Sequence, residues 1–571
     1  MARLRSKRSA LRTLSCKFGG IGKNTPLSPA GAEDMCNFRI LPGGILKTRM
    51  GYQFKKKFLS YQKIRGIWEG TVGDLSLSFT VAGDKIYRLQ GDNLAESIVG
   101  SVTSGQTPVH FCVYLDNLYL LDGTKIYHYF PVLNQFKEME AYVPLYGYQW
   151  HPTSYGEVYE EINLLSPRLR VHYYNPDAAT VFQLPYYAET IDVVRINGKE
   201  STAYEFSPGS KQITATSTNA PVVFEVGFTV SLNEEIRQKI LSAQLSFIYE
   251  QGEESKLFLW GNDPRVFYSR YVADYMLSSC HVMYPRASSL YFCADDVLFL
   301  GDSLHPVTVM CPLYDTILAF TDDRIWNISF GKEGIETKLA TAEIGCAFPF
   351  GAIPYQNDVV AVMGKDIYRI SASVARPEQL SLERLSAALE GRIAFDFLGD
   401  VHLFWNVADG EIWIRDTGNQ EGEVLVWNTE SNEWYRFDNI DASFFFKIKQ
   451  GFGFVAYNII FLFNRSCGTD YNAPIAAFYR SAYLDFGTPD LPRRSTRAYL
   501  YSGVCGEGSS ILFETERSEK QFALTDSPFS SDTQLRGMRI GTHRYRFLRF
   551  TLFANTTAPA EFYRLDIHSL P

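Results

Sequence analysis

The sequence predicts an all-β protein: a β-propeller of about six to eight blades with an inserted β-sandwich, a C-terminal β-sandwich and an extended N-terminal arm. A recurring pentapeptide is the first reason. Gly83-Asp84-Lys85-Ile86-Tyr87 returns as Gly123-Thr124-Lys125-Ile126-Tyr127, each closing an apolar strand, turning tightly and opening another. Degenerate copies follow at Arg324-Ile325-Trp326, Asp366-Ile367-Tyr368 and Glu411-Ile412-Trp413, with 42 and 45 residues between successive isoleucines. A period of roughly 40 to 45 residues of short strands is that of four-stranded blades. The second reason is composition: aromatic residues make up 15% of the chain, and such rings suit pleated, half-buried surfaces. The third is a gap in the repeat that is too long for one blade and has strand and turn punctuation of its own.

Taken in order, residues 1–53 read as the arm. Its apolar residues, among them Phe18, Ile21, Phe38, Ile40 and Leu46, are scattered among Gly and Pro, the pattern of an extended strap laid on a surface. Residues 54–148 hold the first part of the propeller, with both intact pentapeptides. Residues 149–245 read as the inserted sandwich. Six short strands occur between Arg168 and Val230, Asn197-Gly198 is a two-residue hairpin turn, and Pro208-Gly209 marks the next reversal. Ser231-Leu232-Asn233-Glu234 has the form of a capping box opening a short helix, with Ile236, Ile240 and Leu241 on one face. Residues 246–480 continue the propeller, beginning with the hairpin around Gly261-Asn262-Asp263-Pro264. Residues 481–571 read as the C-terminal sandwich, in which Tyr563, Leu565 and Ile567 alternate with Arg564 and Asp566.

Charge is split by position. Residues 1–65 hold 15 Lys and Arg against Glu33 and Asp34, a net of +13, and the remainder holds 40 basic against 61 acidic residues, a net of −21. A basic arm, with Arg3, Arg5, Lys7, Arg8, Arg12 and Lys17, thus leads an acidic body; it would be drawn to an acidic protein surface or to nucleic acid. An organelle transit peptide or a solvated tail has similar composition. The longest apolar run, Phe452 to Phe463, is 12 residues long and contains Asn458, short of the about 20 a membrane-spanning helix needs. Nine scattered cysteines with no C-x-x-C spacing suit assembly in a reducing cytoplasm rather than a disulfide or zinc framework.

Motifs for chemistry are sparse, and we expect no catalytic, cofactor or metal site. Gly19-Gly20-Ile21-Gly22-Lys23-Asn24-Thr25 lacks the Gly-Lys-Ser/Thr adjacency of a phosphate loop. The nine histidines include no H-x-x-x-H pair, and a propeller alone never implies catalysis. The aromatic run Tyr142 to Trp150 is read as a packed linker between blade and insert, with stacking on sugars as the alternative.

The stretch from Met35 to Tyr52 resembles the opening of phage tail and neck propeller proteins, which carry an N-F-x-x-x-x-x-G-x-L-x-x-R-x-G-Y segment after a flexible arm. Asn37, Phe38, Gly44, Leu46, Arg49, Gly51 and Tyr52 match it. Ile162 to Arg168, Asn262 to Ser269 and Leu484-Asp485-Phe486-Gly487 are similar to virion proteins of the same kind. The resemblance implies a structural virion protein, not an enzyme. Such a protein forms a homo-oligomeric ring, a hexamer or a dodecamer, in the neck or tail, as head-to-tail connector or tail nozzle. It would contact portal, adaptor or other tail proteins and let packaged DNA pass through its channel without sequence-specific binding. Arm residues Arg3, Arg5, Lys7, Arg8, Arg12, Lys17, Phe18, Phe38, Arg49 and Tyr52 would then touch the partner. A virion-borne propeller that binds host glycan or another receptor is the alternative.

Overall fold

The computed structural model describes residues 11–22, 31–216, 221–251, 254–270, 275–277, 282–284, 290–331, 334–372, 379–390, 393, 396–419, 422–486, 490–503, 505, 508–524 and 534–570. Seven blades form the propeller. Blade 1 is Ile64–Val72, Leu75–Ala82, Lys85–Gln90 and Ala95–Ser101, and blade 2 is His110–Tyr114, Asn117–Leu121, Ile126–Phe130 and Gln135–Glu138. Blade 3 is Leu245–Gln251, Glu254–Trp260, Arg265–Tyr268 and Val297–Phe299; blades 4 and 5 run from Val309 to Ala342 and from Ala352 to Arg384. Blade 6 is Val401–Asn406, Glu411–Asp416, Val424–Asn428 and Glu433–Phe437. Blade 7 draws only three strands from its own stretch, Phe444–Ile448, Gly451–Ala456 and Ile459–Asn464. The first strands of successive blades neighbour one another, and that of blade 7 packs back on that of blade 1, which closes the ring.

Each blade is covered on both faces by the next, so its strands need not alternate. Asp358–Met363 of blade 5 is buried at all six positions. The cores lie between blades: Phe79 and Val81 meet Phe111 and Leu118 between blades 1 and 2, and Trp260 and Val266 meet Met310 and Ile317 between blades 3 and 4. The pentapeptides form the turns between second and third strands. Their glycines, Gly83 and Gly123, take φ of +61° and +81°, which Gly adopts at no steric cost. The copies at Ile325 and Ile367 also open third strands, but Ile412 lies in the second strand of blade 6. The third strand there is Val424–Asn428, so the 45-residue spacing compares two different strands.

The insert is a sandwich of two sheets. One holds Leu145–Trp150, Arg168–Tyr174, Val223–Thr229, Thr190–Ile196 and Lys199–Glu200, and the other Val181–Ala188, Ser210–Ala215 and Tyr204–Phe206. Phe182 and Phe224 stack between them at 3.9 Å. Asn197 and Gly198 take φ of 50° and 80°, as the hairpin turn requires. The helix α1 (Glu234–Leu241) returns the chain to blade 3, burying Ile240 and Leu241. The expected capping box does not form: Asn233 occupies the N-cap in a left-handed conformation with no side-chain cap bond, and the Ser231 hydroxyl donates to Glu189 instead.

The arm is extended, as expected, but it is stitched into its own chain as five strands: β1 (Arg12–Cys16), β2 (Ala32–Cys36), β3 (Phe38–Leu41), β4 (Ile45–Thr48) and β5 (Gly51–Lys57). β5 pairs antiparallel with Ile459–Asn464 and supplies the missing fourth strand of blade 7. β2 runs parallel to the outer strand of blade 6 and antiparallel to Ala473–Ser481. β1 and β4 pair with Glu561–Leu570, and β3 pairs with β4. The C-terminal sandwich is therefore built from both ends of the chain. One sheet contains β1, β3 and β4 with Glu561–Leu570, Arg494–Ser502 and Gln534–Met538; the other contains β2 with Ala473–Ser481, Leu548–Thr556, Ser509–Thr515 and Glu519–Leu524.

Closure of blade 7 depends on close backbone approach. A Cβ on Gly51 would lie 2.0 Å from the Thr469 carbonyl oxygen. Gly51→Ala is expected to lower the urea midpoint of unfolding markedly, whereas Gly22→Ala, where a Cβ meets nothing within 4 Å, leaves it unchanged.

Candidate functional site

The arm residues singled out by sequence converge on a buried seam between propeller and C-terminal sandwich. Asn37 sits between β2 and β3 at φ 58°, a conformation Asn tolerates better than most residues. Its amide donates to the Asp438 carboxylate and to the Ala476 carbonyl, the latter at 2.7 Å. Its side-chain oxygen accepts from the Asp438 amide at 3.0 Å and from Arg49 Nε at 2.8 Å. The Arg49 guanidinium, 1% exposed, continues to the Met50 and Asp438 carbonyls, both at 3.0 Å, and grips both oxygens of Asp470. Asn439 donates to the same carboxylate at 3.0 Å. Tyr52 donates to the Asn439 carbonyl at 2.8 Å, and burial raises its phenol to about 12.

These positions correct the expectation that the whole set faces a partner. Phe18 packs edge-on to Tyr479 at 5.3 Å, Phe38 to Phe562 at 5.9 Å, and Tyr52 to Phe454 at 4.9 Å. With Arg49 they are buried within the chain's own core, because the strands that carry them complete its sheets. Arg12 and Lys17 are exposed. Arg3, Arg5, Lys7 and Arg8 lie outside the described residues. The other stretches of the resemblance also mark seams. Asn163 is fully buried and ties the insert to blade 3, donating to the Tyr142 and Leu290 carbonyls at 2.8 and 2.9 Å and accepting from the Leu165 and Phe292 amides. Asp263 holds Arg265 in the blade 3 turn and reaches Lys239 of α1 at 3.5 Å. Leu484 bridges to Leu548 within the C-terminal sandwich; Gly487 is outside the described residues.

A second candidate region is a cavity of about 480 Å³ where the first strands of blades 1, 2, 6 and 7 begin. Trp68, Phe111, Phe350, Phe444 and Phe445 give it an aromatic floor, and Asp400 and Asp441 stand at its exposed rim. Its arginines serve the propeller itself. Arg65 donates to the Thr107 and Thr103 carbonyls at 2.7 and 2.8 Å, and Arg415 donates to the Asn419 carbonyl at 2.9 Å and meets Asp441 at 3.3 Å. His402 stacks on Phe350 at 4.9 Å. Burial lowers both His402 and His110 to about 4, with the Arg415 charge adding to the effect at His402 and Asp400 opposing it. The volume is that of a small-ligand cavity.

The structure also gathers residues that no local pattern joined. His305 Nδ1 lies 2.7 Å from Asp322, and Asp323 completes a group whose ligand atoms fall within 4.8 Å of one another. Asp323 is already engaged by Arg324 at 3.2 Å and by the Thr321 hydroxyl, which weakens this set as a cation site. In the aromatic run, Tyr142 and Trp150 are buried and Tyr142 donates to Glu160; the run is packed, but Leu145–Trp150 is an edge strand of the insert rather than a linker.

Two outcomes follow from these geometries. Arg49→Ala leaves Asp470 buried without its cation and is expected to cost about 3–5 kcal/mol in urea unfolding; Arg49→Lys recovers only part, since an ammonium cannot reproduce the guanidinium fork. Acid sensitivity is the other. His110, His128, His172 and His402 all have folded pKa values of about 4, below the ordinary 6.5. Between those values the unfolded chain binds protons that the folded one does not, so stability is full above pH 6.5 and falls as pH drops toward 4. Thermal midpoints across that window should decline, and less steeply in a His110→Gln/His402→Gln variant.

No protein-family profile and no curated protein matches this chain. Among solved structures, it is similar to the AfRom2 CNH domain, at 6% identity and a TM-score of 0.35, over 72% of this chain and 98% of that one. It is also similar to the extracellular domain of a one-component system from B. thetaiotaomicron, at 9% identity and a TM-score of 0.25, over 75% of this chain and 57% of that one. The propeller assignment itself rests on five separate four-stranded blades, two further blades joined through the arm in one larger sheet, and their closed order.

Proposed function

We propose that this chain is a structural virion protein of a tailed bacteriophage, assembled in the bacterial cytoplasm, that forms a homo-oligomeric ring in the neck or tail around the DNA channel and stabilises packaged DNA. Its role on this reading is mechanical rather than catalytic. The observation that carries it is the placement of the stretches that resemble phage tail and neck propellers. Asn37, Arg49 and Tyr52 lock blade 7 and the C-terminal sandwich together, Asn163 locks the insert, and Asp263 locks α1 against blade 3. A part that must stay rigid while DNA is packed and released needs its modules joined in this way. The eight described cysteines are free, seven of them buried, in keeping with assembly in a reducing compartment. On this reading the channel is bounded by several copies of the chain.

The test is the assembly state of the purified chain by mass photometry and negative-stain imaging, alone and with a portal and adaptor complex. Removing the whole arm would remove β1 to β4 and the start of β5 and unfold the protein, so the informative variants delete residues 1–10 or reverse the exposed charges, Arg12→Glu/Lys17→Glu. Sixfold or twelvefold rings, or adaptor-dependent assembly, that weaken in these variants are expected. A folded monomer at micromolar concentration with no adaptor affinity would overturn the reading.

A further inference from the structure

The sheet that β1 shares with the C-terminal strands turns one face to solvent, and its side chains stand there in register. Thr13 lies opposite His568 and His568 opposite Arg497. In the next row Ser15, Asp566, Tyr499 and Gly537 align across four strands, and beyond it Arg564, Tyr501 and Leu535 do so, with Lys17 following the end of β1. Cys16, Leu565, Ile567, Ala498 and Met538 point the other way and are buried, while Lys17, Arg497, Arg564 and Arg539 are exposed. Among the described residues, Lys17, Arg497 and Arg564 share this face, with Arg539 just past the end of its outer strand; the acids beside them are Asp566 and, at the start of the same strand, Glu561, which is already paired with Lys47 at 2.7 Å.

The rings hold the cations in place. The Arg564 guanidinium lies 4.3 Å from the centre of the Tyr501 ring and reaches Asp566 at 3.0 Å. Tyr499 packs against the His568 ring at 4.9 Å and accepts from Arg497 at 3.4 Å. Gly537 brings no side chain to the Tyr499 ring; a Cβ there would touch it at 3.4 Å. On a chain whose residues after 65 carry a net charge of −21, a local surplus of cations selects a polyanion. Planar guanidinium groups interleaved with tyrosines suit phosphates, which they meet bidentately, and bases, on which rings stack. The row of Arg564 and the row of Arg497 are four residues apart along their strands, about 13 Å at strand rise. One DNA strand covers that distance in about four phosphates.

We propose that this face is the surface through which the chain contacts a nucleic-acid backbone, without sequence preference. It deepens the ring reading by naming the DNA-contacting surface, and it rests on that reading for duplex DNA as the natural ligand. Fluorescence anisotropy of the full chain with a short random-sequence duplex, and with its single strand, over a salt series tests it. Arg497→Ala/Arg539→Ala removes two exposed cations that the core does not use, and an unchanged thermal midpoint confirms folding. The expected result is salt-dependent binding, weakened about tenfold or more at low salt in the double variant, with the log–log salt slope reduced by about 2. Tighter binding of the single strand supports the same face with the tyrosines engaged. Absence of binding at low salt, or equal binding by the double variant, overturns the proposal. Loss of self-association in the variant without DNA binding by the parent also overturns it and assigns the face to the acidic surface of another copy. Ring formation is read in the same samples, so rings without DNA binding defeat this inference and leave the ring reading standing.

Discussion

The grip of Arg49 on Asp470 is the interaction on which the architecture turns. Blade 7 lacks a strand of its own, and the strand that completes it arrives from the opposite end of the chain, 421 residues away by the measure of that pair. Burying two charges costs several kcal/mol per ion before their attraction is counted. Here the cost is offset because the guanidinium is satisfied by Asn37, Met50, Asp438 and both Asp470 oxygens, and Asp470 gains Asn439 as a further donor. What such a pair contributes beyond stability is register. A strand shifted by one residue would turn Tyr52 away from Phe454 and Phe463 and expose it. The planar fork of Arg49 fits only one alignment of β5.

That closure explains which features could be read from the sequence. The repeat was legible because blade turns are local: a glycine at positive φ, an isoleucine and an aromatic are set by the geometry of a few residues. The same locality misassigned Ile412, since a strand covered on both faces carries Ile and Trp wherever it lies in its blade, and only pairing distinguishes second from third. The arm was recognised as extended, with its apolar residues noted, but its destination was not legible. Asn37 meets Asp438 across 401 residues, and no composition or period encodes such a pairing. Basic charge and scattered Gly and Pro suggested a strap laid on the surface of a partner. The buried rings of Phe18, Phe38 and Tyr52 are what make it part of a core. The failed capping box has a smaller cause of the same kind, for Ser231 found a partner in Glu189, 42 residues earlier in the chain.

The seams at Asn37 and Asn163 share a design. Each uses a polar side chain with several hydrogen-bonding capacities, fully or nearly fully buried, to join backbone from different modules. Asn163 spends both its amide hydrogens and its carbonyl on the two connectors and on blade 3; Asn37 does the same between the arm, the connector of blades 6 and 7, and the C-terminal sandwich. A buried amide left half-satisfied is costly, so these joints tolerate one arrangement and resist sliding. Apolar packing alone would permit more. The insert and the C-terminal sandwich are thereby held as fixed projections of the propeller.

Sewing the arm into the C-terminal sandwich also sets where the positive charge of the described residues 11–22 and 31–65 is displayed. Were that stretch a free tail, its charge would be spread by motion over the acidic body. As strands, it is divided. Arg39 is drawn to Glu411 and Asp409, Arg49 to Asp470, and Lys56 to Glu96, while Lys17 remains exposed beside the arginine and tyrosine rows of the outer sheet. Among the described residues, the outer sheet thus gathers exposed cations on a chain that is negative as a whole. On the proposed reading, in which a polyanion passes the molecule, such a division is physically coherent: negative surface would keep phosphates from sticking, and a small patch of exposed, salt-sensitive contacts would hold the strand near the wall without fixing its register. A uniformly basic surface would bind too tightly for movement, and a uniformly acidic one would offer the strand no point of contact.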